Sequence, residues 1–524
     1  MALSQEQTQR TMGKSLIRST STVSMMTMIS RIMGFIRDMV VAQVFGVNAA
    51  SDAFFVVFKI PNFLRRLFAE GAFAQAFVPV LSEYMEQKSR EQVREFIAAM
   101  SGTLGLALLI VCVIAVVFAP AMVWIFAPGF GHGDSIRFDL ACQMLRITFP
   151  YLLFISLTAF AGAVQNTQGR FAIPAFTPVI LNICMIAAAF LLAPLFHVPI
   201  KGLAWGVFFA GIAQYLFQLP FLWRLQLLTW PKLALKDPGV RRVLKLMVPA
   251  LFGVSVGQIS LLLDTVFASF LKVGSVTWLY YSDRLTSLPL GVFGVAIATV
   301  ILPNLSRKNA NNAVEDSSKT IDWALRSVLI LGVPALVGFF ALGGPLLSTL
   351  LLHGHFHAFD VQMTLRSLLA FALGIPSFML VKVLAAGFYA HQNIRRPVRI
   401  AVIAVSCNIL LNACLVWSMG HAGLALSTSI ASIINASLLY IGLRRFGYYH
   451  PLAGWRKFFI QLLVANVVMG LAVWFAAGPL AKWELWPDYQ RIIHLALLMG
   501  VALFLYFATL RVMGVRLKDF KGHR

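Results

Sequence analysis

Long apolar runs recur from one end of the chain to the other, separated by short stretches that contain charged residues, prolines or glycines. A helix needs about 20 apolar residues to cross the hydrocarbon core of a membrane, and the runs have this length. The pattern predicts fourteen membrane-spanning helices, at 21–46, 52–79, 96–119, 139–165, 172–194, 201–223, 242–270, 275–303, 321–342, 361–389, 398–418, 422–443, 456–477 and 489–511. The predicted fold is therefore an all-α polytopic membrane protein.

Two pairs of matching segments indicate an internal repeat. GAFAQAFVPVLS resembles VAIATVILPNLS, and this match places Pro79 and Pro303 224 positions apart. NTQGRFAIP and HQNIRRP place Pro174 and Pro397 223 positions apart. Because the offsets are nearly equal, we expect one duplication that gives two six-helix lobes of the same topology, related by a pseudo-two-fold axis along the membrane normal.

The repeat and the charge pattern together predict how the chain is organised. The predicted parts are a cytoplasmic tail at 1–20, an N-terminal lobe at 21–223, a basic cytoplasmic linker at 224–241, a C-terminal lobe at 242–443, two additional helices within 456–511 and a basic cytoplasmic tail at 512–524. An even number of spans puts both termini on one side. Placing them in the cytoplasm puts most of the 43 Lys and Arg in cytoplasmic tails and loops, as the positive-inside rule requires.

Composition excludes several other classes of protein. The chain is 59% hydrophobic and only 12% charged, which is unlike a soluble globular protein. The net charge of +23 is accounted for by the cytoplasmic loops, so no nucleic-acid partner is expected. The nucleotide-binding and hydrolase motifs of soluble enzymes are absent, and the five cysteines contain no CxxC pair that would indicate a metal or disulfide framework.

Charged residues are nevertheless concentrated in the first two predicted spans and recur in the eighth. The bases are Arg31, Arg37, Lys59, Arg65, Arg66 and Arg284, and the acids are Asp38, Asp52, Glu70 and Asp283. A charge at the centre of a membrane helix costs about 2.5 to 3.5 kcal/mol on insertion scales, so such residues normally face a bundle interior or a water-filled cavity. Several arginines around one cavity favour a phosphate or pyrophosphate ligand, whereas the acids are equally well explained by salt bridges. Pro61 is expected to kink or break the second span.

A second polar group is predicted in the later helices. Asp264 lies in the seventh span, Asn408 and Asn412 lie one helical turn apart in the eleventh, and Thr428 lies in the twelfth. Their oxygen atoms could bind a small cation, or the side chains could form hydrogen bonds between helices. The residues leave both interpretations open.

Four segments resemble a known family. They are TMISRIMGFIRD, ASDAFFVVFKIPNFLRRLFAEGAFAQAFVPVLSEY, SVTWLYYSDRL and HAGLALSTSIASIINASLLY. They resemble the MurJ (MviN) family of bacterial lipid II flippases, within the multidrug/oligosaccharidyl-lipid/polysaccharide exporter superfamily. The resemblance implies fourteen helices in two lobes with a central cavity, and a hydrophobic groove for a polyprenyl tail formed by the last two helices, within 456–511.

The resemblance also implies roles for individual residues. It implies substrate binding by Arg31, Arg37, Arg65 and Arg284, and a supporting or gating role for Asp38, Asp52, Lys59, Arg66, Glu70 and Asp283. The family's sodium-site positions fall on Asp264, Asn408, Asn412, Thr428 and, through its backbone oxygen, Leu424. Asn412 departs from that pattern, which has a second acid there, so sodium coupling does not follow directly.

The implied function is movement of lipid II, an undecaprenyl-pyrophosphate-linked disaccharide peptide, from the inner to the outer leaflet of the bacterial cytoplasmic (inner) membrane. The step would occur by alternating access and would serve cell-wall synthesis. No cofactor is expected, except for sodium as a candidate coupling or structural ion. The candidate partners are lipid II, the lipid bilayer and the peptidoglycan synthesis machinery. The alternatives are a membrane enzyme, such as a glycosyltransferase or polymerase acting on polyprenyl-pyrophosphate lipids, and a related drug or oligosaccharide-lipid exporter.

Overall fold

A computed structural model of the chain describes residues 2–132, 135–291, 301, 305 and 314–515, with side chains from residue 23 onward except at 69–70, 252–257, 261 and 314. The repeat segment around Pro303, most of the second half of the eighth predicted span and the end of the basic tail lie outside these residues. The described backbone is helical and contains no β-strand. The predicted all-α fold is confirmed.

The chain divides into two compact units, Met1–Leu262 and Leu263–Arg524, and the boundary falls inside α11 (Pro238–Ser269). The first unit contains α1 (Ala2–Phe45), α2 (Ala49–Leu64), a π-helical segment (Arg65–Phe73), α3 (Ala74–Gln87), α4 (Arg90–Val117), α5 (Ala119–Phe126), α6 (Pro128–Gly131), α7 (Ser135–Thr148), α8 (Tyr151–Thr167), α9 (Ala172–Leu191), a 3-10 turn (Ala193–Leu195) and α10 (Ile200–Arg224). The second unit contains α12 (Ser275–Pro289), α13 (Val314–Leu351), α14 (Ala358–Ala372), α15 (Ile375–Ala390), α16 (Arg395–Met419), α17 (His421–Arg445), α18 (Trp455–Ala477), α19 (Leu480–Leu485) and α20 (Asp488–Val512). The lobe boundary at 224–241 remains a prediction.

Ten helical stretches in the described part of the chain are long and apolar enough to cross a membrane. They are Arg90–Val117, Ser135–Thr167, Ala172–Leu191, Ile200–Arg224, Glu315–Leu351, Ala358–Ala390, Arg395–Met419, His421–Arg445, Trp455–Ala477 and Asp488–Val512. Each coincides with a predicted span. The other four predicted spans are the first two of each predicted lobe, which contain the charged residues described above, and they are mainly helical over their described residues.

The second predicted span does not break at Pro61. Helix α2 continues through Pro61 to Leu64, where the backbone changes to the π-helical segment and then to α3. At this transition the N–H of Arg65 donates to the carbonyl oxygens of Pro61 and Asn62. Proline removes one intrahelical donor, and the expected break is replaced by a change of hydrogen-bond register that keeps the chain helical.

The predicted basic linker packs against its own unit. Residues 227–234 are non-helical, and the backbone N–H of Lys232 donates to the carbonyl oxygen of Ala98 on α4 at 2.9 Å. A Cβ atom at Gly102 would lie 2.3 Å from the carbonyl oxygen of Lys232, so only glycine permits this approach. Leu227 is buried in the same hydrophobic cluster as Phe96. The linker is thus a packed segment of the first unit.

In the second unit a buried carboxylate ties the last membrane helices to α13. Asp322 is 2% exposed, and its Oδ1 accepts hydrogen bonds from the hydroxyl of Tyr449 at 2.7 Å, the indole of Trp455 at 2.7 Å and the N–H of Leu452 at 3.2 Å. Its Oδ2 lies 2.8 Å from Nε of Arg326, which also covers the ring of Trp455. We call these five residues the Asp322 clamp. The clamp holds the loop before α18, and burial raises the pKa of the Tyr449 hydroxyl above its ordinary value.

We predict that Asp322→Ala lowers the free energy of unfolding by about 3 to 5 kcal/mol, because it leaves a buried guanidinium edge and two ring donors without their acceptor. Thermal unfolding in detergent, followed by size-exclusion chromatography, measures the change. The control is Glu83→Ala, which removes the exposed ion pair with Arg242 at 2.8 Å and should alter the melting temperature little. Equal melting temperatures for the two variants would show that the clamp does not hold α18.

Candidate functional site

Arg37 and Asp38 form a buried ion pair on α1. Nε and Nη2 of Arg37 both donate to Oδ1 of Asp38, at 3.0 and 2.5 Å, and the Arg37 side chain is 3% exposed. Asn182 on α9 adds a further acceptor, with its Oδ1 3.0 Å from Nη1 of Arg37. Two predicted site residues are therefore neighbours in one polar network inside the first unit.

Arg31 occupies the same helix two turns earlier. It is half-buried, and within the described part of the chain it makes no hydrogen bond or ion pair. Because residues seven positions apart lie on nearly the same face of a helix, Arg31 and Asp38 share one side of α1. Arg31 is thus a cation in a membrane helix that is not neutralised by a described acid.

Asp52 lies in the first turn of α2 and is completely buried. Asn48 caps this helix, since its side-chain oxygen accepts from the N–H groups of Ala50 and Ser51 at 2.9 Å each. The carboxylate of Asp52 lies 3.7 Å from Nη1 of Arg137 on α7. The helix N-terminus and this arginine both stabilise the negative charge, so Asp52 joins α2 to α7.

The π-helical segment begins with Arg65 and Arg66. Arg65 is half-buried and Arg66 is exposed, and Lys59 is half-buried almost two turns before them on α2. The side chain of Glu70 lies outside the described residues. A π-helical segment is rare and occurs frequently at functional sites, which agrees with the density of charged residues here.

In the second unit Arg284 and Asp283 lie on α12. Arg284 is half-buried, donates from Nε to the hydroxyl of Tyr280 at 3.3 Å and lies 5.4 Å from the centre of that ring. Asp283 is exposed, and its side chain makes no contact of this kind with the described residues. Tyr280 therefore orients the guanidinium through its hydroxyl and its ring.

The second predicted group is brought together within the second unit. Nδ2 of Asn412 donates to Oδ1 of Asp264 at 2.7 Å and to Oδ1 of Asn408 at 2.8 Å. The hydroxyl of Thr428 lies 3.4 Å from Oδ2 of Asp264 and donates to the carbonyl oxygen of Leu424 at 3.0 Å. We call these five residues the oxygen cluster.

The oxygen cluster has the donor atoms that a hard cation prefers, namely one carboxylate, amide oxygens, a hydroxyl and a backbone carbonyl. Oδ1 of Asn412 is buried and has no hydrogen-bond partner in the described structure, whereas Nδ2 of the same amide points at Asp264. Rotating this amide by half a turn would exchange the two atoms and add a fifth oxygen. With the Asn412 amide rotated, the oxygen atoms of the cluster fit a monovalent cation. With the amide as it stands in the structure, the same residues are held together by hydrogen bonds.

Sequence reasoning missed three partners of the charged residues. Arg137 precedes the predicted span 139–165, but it is buried against Asp52 and lies 4.6 Å from the ring of Phe130. Asn182 is a lone polar residue in the apolar run PVILNICMIAA, which is the signal that could have identified it. Tyr280 gave no such signal, because an aromatic residue is common near a membrane interface.

Comparisons with known proteins define the class first. The fold matches an inward-facing multidrug resistance MATE family transporter of the MOP superfamily, with a TM-score of 0.65 over 81% of this chain and 97% of the other at 13% identity. It also matches a structure titled "Lipid II flippase MurJ, inward closed conformation", with a TM-score of 0.80 over 94% of this chain and 99% of the other at 27% identity. The chain is therefore a multi-pass membrane protein with the fold of MOP superfamily transporters.

The family follows from the sequence. The family model "Lipid II flippase MurJ" matches residues 41–486. A Vibrio cholerae protein named "Probable lipid II flippase MurJ" is 48% identical over 98% of this chain and 99% of its own length, and a Burkholderia cenocepacia "Lipid II flippase MurJ" is 42% identical over 97% and 99%. The chain belongs to the MurJ family, and the resemblance inferred from the four segments is confirmed.

We predict that Arg137→Gln lowers the free energy of unfolding by about 3 kcal/mol, because it removes the charged partner of a fully buried carboxylate. The double variant Arg137→Gln with Asp52→Asn should be less destabilised than the single variant, since the buried charge is then removed as well. Thermal unfolding of the purified variants in detergent measures both changes. If the double variant lost as much stability as the two single variants combined, the ion pair would not couple the two helices.

Proposed function

We propose that this chain moves lipid II from the inner to the outer leaflet of the bacterial cytoplasmic membrane and so supplies precursor for cell-wall synthesis. Its kinship with MurJ proteins extends over nearly the whole chain. The observation that carries the proposal is a set of arginines in membrane helices, at positions where an ordinary span has apolar residues. They are Arg31, Arg37, Arg65 and Arg284.

In this proposal the four arginines bind the pyrophosphate of lipid II. Guanidinium groups keep their charge when they are buried and offer paired N–H groups that match phosphate oxygens. The remaining charged residues support or gate these contacts, and they are Asp38, Asp52, Lys59, Arg66, Glu70 and Asp283. The pairing of Asp38 with Arg37 and of Asp52 with Arg137 supports such a role for two of the acids.

The polyprenyl tail stays in lipid, along the groove that we assign to α18 and α20. Both helices expose large apolar side chains, among them Leu463, Phe475 and Phe504, each more than 60% exposed. Such surfaces suit contact with lipid chains. Alternating exposure of the binding site to the two sides of the membrane then moves the headgroup. An inside-negative potential favours outward movement of an anionic headgroup, by about 2.3 kcal/mol per charge at 100 mV.

The proposal also covers the orientation of the chain in the membrane and its partners. Both termini lie in the cytoplasm, lipid II and the bilayer are the partners, and the peptidoglycan synthesis machinery receives the product. The reaction is transport without chemical change, so the chain is not an enzyme. Purified protein should accordingly leave lipid II intact, whereas glycan formation would favour the alternative of a membrane transferase.

We further propose that sodium is an optional structural ligand of the oxygen cluster. The atoms that would hold it are those of Asp264, Asn408, Thr428 and Leu424, with Oδ1 of Asn412 after rotation of its amide. Bound there, sodium would neutralise the charge of Asp264. Because Nδ2 of Asn412 already joins Asp264 to Asn408, the helices are held together without an ion.

Charge reversal at a single site arginine tests transport. We predict that Arg31→Glu and Arg284→Glu each lower lipid II translocation at least about tenfold in proteoliposomes, since each removes a charge-assisted contact. Arg31→Lys should keep part of the activity because it keeps the charge. Accessibility of lipid II to a reagent outside the vesicles measures translocation, and thermal unfolding verifies that each variant is folded.

The control for this experiment is Arg366→Gln, which changes an exposed arginine on α14 that we do not assign to the site. It should translocate lipid II at the rate of the unmodified chain. Unchanged translocation by folded Arg31→Glu and Arg284→Glu would refute the assignment of the binding site. An inactive unmodified chain would refute the function itself.

A comparison of salts tests the proposed role of sodium. The unmodified chain should melt at most about 1 °C higher in NaCl than in KCl, because sodium must first displace the hydrogen bonds that already satisfy the cluster and therefore binds weakly. Asn412→Asp adds a second carboxylate and should gain a sodium-specific rise in melting temperature. A much larger sodium-specific rise in the unmodified chain that Asp264→Asn abolishes would show that the cluster binds sodium tightly, which would contradict an optional role.

A further inference from the structure

Asn182 makes two hydrogen bonds to the helix that carries the first two site arginines. Its side chain is 5% exposed on α9, and its Oδ1 accepts from Nη1 of Arg37 at 3.0 Å. Its Nδ2 donates to the backbone carbonyl oxygen of Ser30 at 3.2 Å. A single amide therefore contacts both the backbone and a charged side chain of α1.

The two contacts lie at the ends of the segment 30–37 of α1, which contains the proposed substrate-binding residues Arg31 and Arg37. Ser30 immediately precedes Arg31, and Arg37 lies seven residues after Ser30, which is two helical turns on the same face. An amide that is bonded at both ends of this segment restrains the rotation of α1 about its axis and its sliding along α9. It consequently fixes where both arginines point.

The chemistry of an amide suits this position better than that of other side chains. An aspartate would accept from Arg37 but could not donate to a carbonyl oxygen, and leucine could do neither. Asp38 already binds two nitrogen atoms of the same guanidinium through a charged contact. A second carboxylate would compete with an anionic ligand for the remaining charge, whereas a neutral amide oxygen orients the guanidinium and leaves its charge in place.

We propose that Asn182 is a positioning residue for substrate binding, acting through Arg37 and through the backbone of α1 beside Arg31. The proposal rests on the function proposed above, because it assigns a purpose to the orientation of these arginines. Asn182 does not itself contact the ligand. Its effect on affinity is transmitted by Arg37 and Arg31.

In the second unit an asparagine amide also joins the first and fifth predicted spans of the C-terminal lobe. There Asn412 on α16 donates to the carboxylate of Asp264 on α11 at 2.7 Å. In the first unit Asn182 on α9 binds the charged pair on α1. Each predicted lobe thus joins its fifth span to a charged residue of its first span through an asparagine amide, although the two asparagines are 230 positions apart and so do not occupy the same position of the repeat.

The test measures affinity for undecaprenyl pyrophosphate, which carries the charged group without the sugar and peptide. Asn182→Leu, close in volume but unable to hydrogen-bond, should weaken binding about tenfold, the loss expected for a hydrogen bond to a charged group. Asn182→Asp serves as a second variant if the leucine protein is unstable, and it should also bind more weakly. The matched control is Gln214→Leu, which removes a buried amide that donates to the carbonyl oxygen of Thr177 on α9 at 3.0 Å. Its affinity should stay within about twofold.

A double-mutant cycle separates positioning from general loosening of the fold. In an Arg37→Gln background, Asn182→Leu should cause a smaller further loss of affinity than in the unmodified chain, because the part of its effect that passes through the Arg37 guanidinium is already missing. Additive losses in the double variant, or unchanged affinity in folded Asn182→Leu, would overturn the inference while leaving the proposed function in place. Failure of the unmodified chain to bind the probe would instead count against the proposed function.

Discussion

A charge buried in a membrane protein must be neutralised or hydrogen-bonded by the protein itself, because lipid offers no partner. Each of the buried charges in the described helices meets this requirement in its own way. Arg37 binds an acid on the same helix and an amide on α9, and Asp52 binds Arg137 on α7. The contacts of Arg37 with Asn182 and of Asp52 with Arg137 each join two helices, so the requirement for a partner also influences which helices pack together. The polar contacts that satisfy these buried charges are also contacts that hold the helices in place.

The same constraint explains the distribution of apolarity along the chain. The ten stretches that qualify as ordinary spans are predominantly apolar, whereas the first two predicted spans of each lobe carry clusters of charges that must face protein or water. One of these spans also contains the π-helical segment with Arg65 and Arg66. Since a π-helical turn is less favourable than an α-helical one, its presence at the charged residues is consistent with a site whose geometry takes precedence over regular packing.

The sequence was sufficient for the fold class and for the residues that carry charge, because both depend on patterns that a single chain displays. Runs of apolar residues predict spans, and arginines within them predict a site whatever the packing. The partners could not be predicted in the same way. Nothing in the spacing of Asp52 and Arg137 relates them, since 85 positions separate them and only the packing of α2 on α7 brings them together. The register change after Pro61 was also missed, because proline predicts the loss of a hydrogen bond but not how the backbone compensates for it.

In both units an asparagine amide joins the fifth predicted span to a charged side chain of the first span, but the two charges are opposite in sign. In the first unit the amide of Asn182 faces a guanidinium with its oxygen, and in the second unit the amide of Asn412 faces a carboxylate with its nitrogen. An amide can do both because it carries an acceptor and two donors on one short side chain. The two asparagines are 230 positions apart, whereas the repeat offset is 223 to 224, so they are not the same position of the duplicated unit. The two lobes therefore reach a similar amide bridge between their first and fifth predicted spans from different positions. The two-sided chemistry of the amide lets each bridge match the charge on its own first helix, a guanidinium in one unit and a carboxylate in the other.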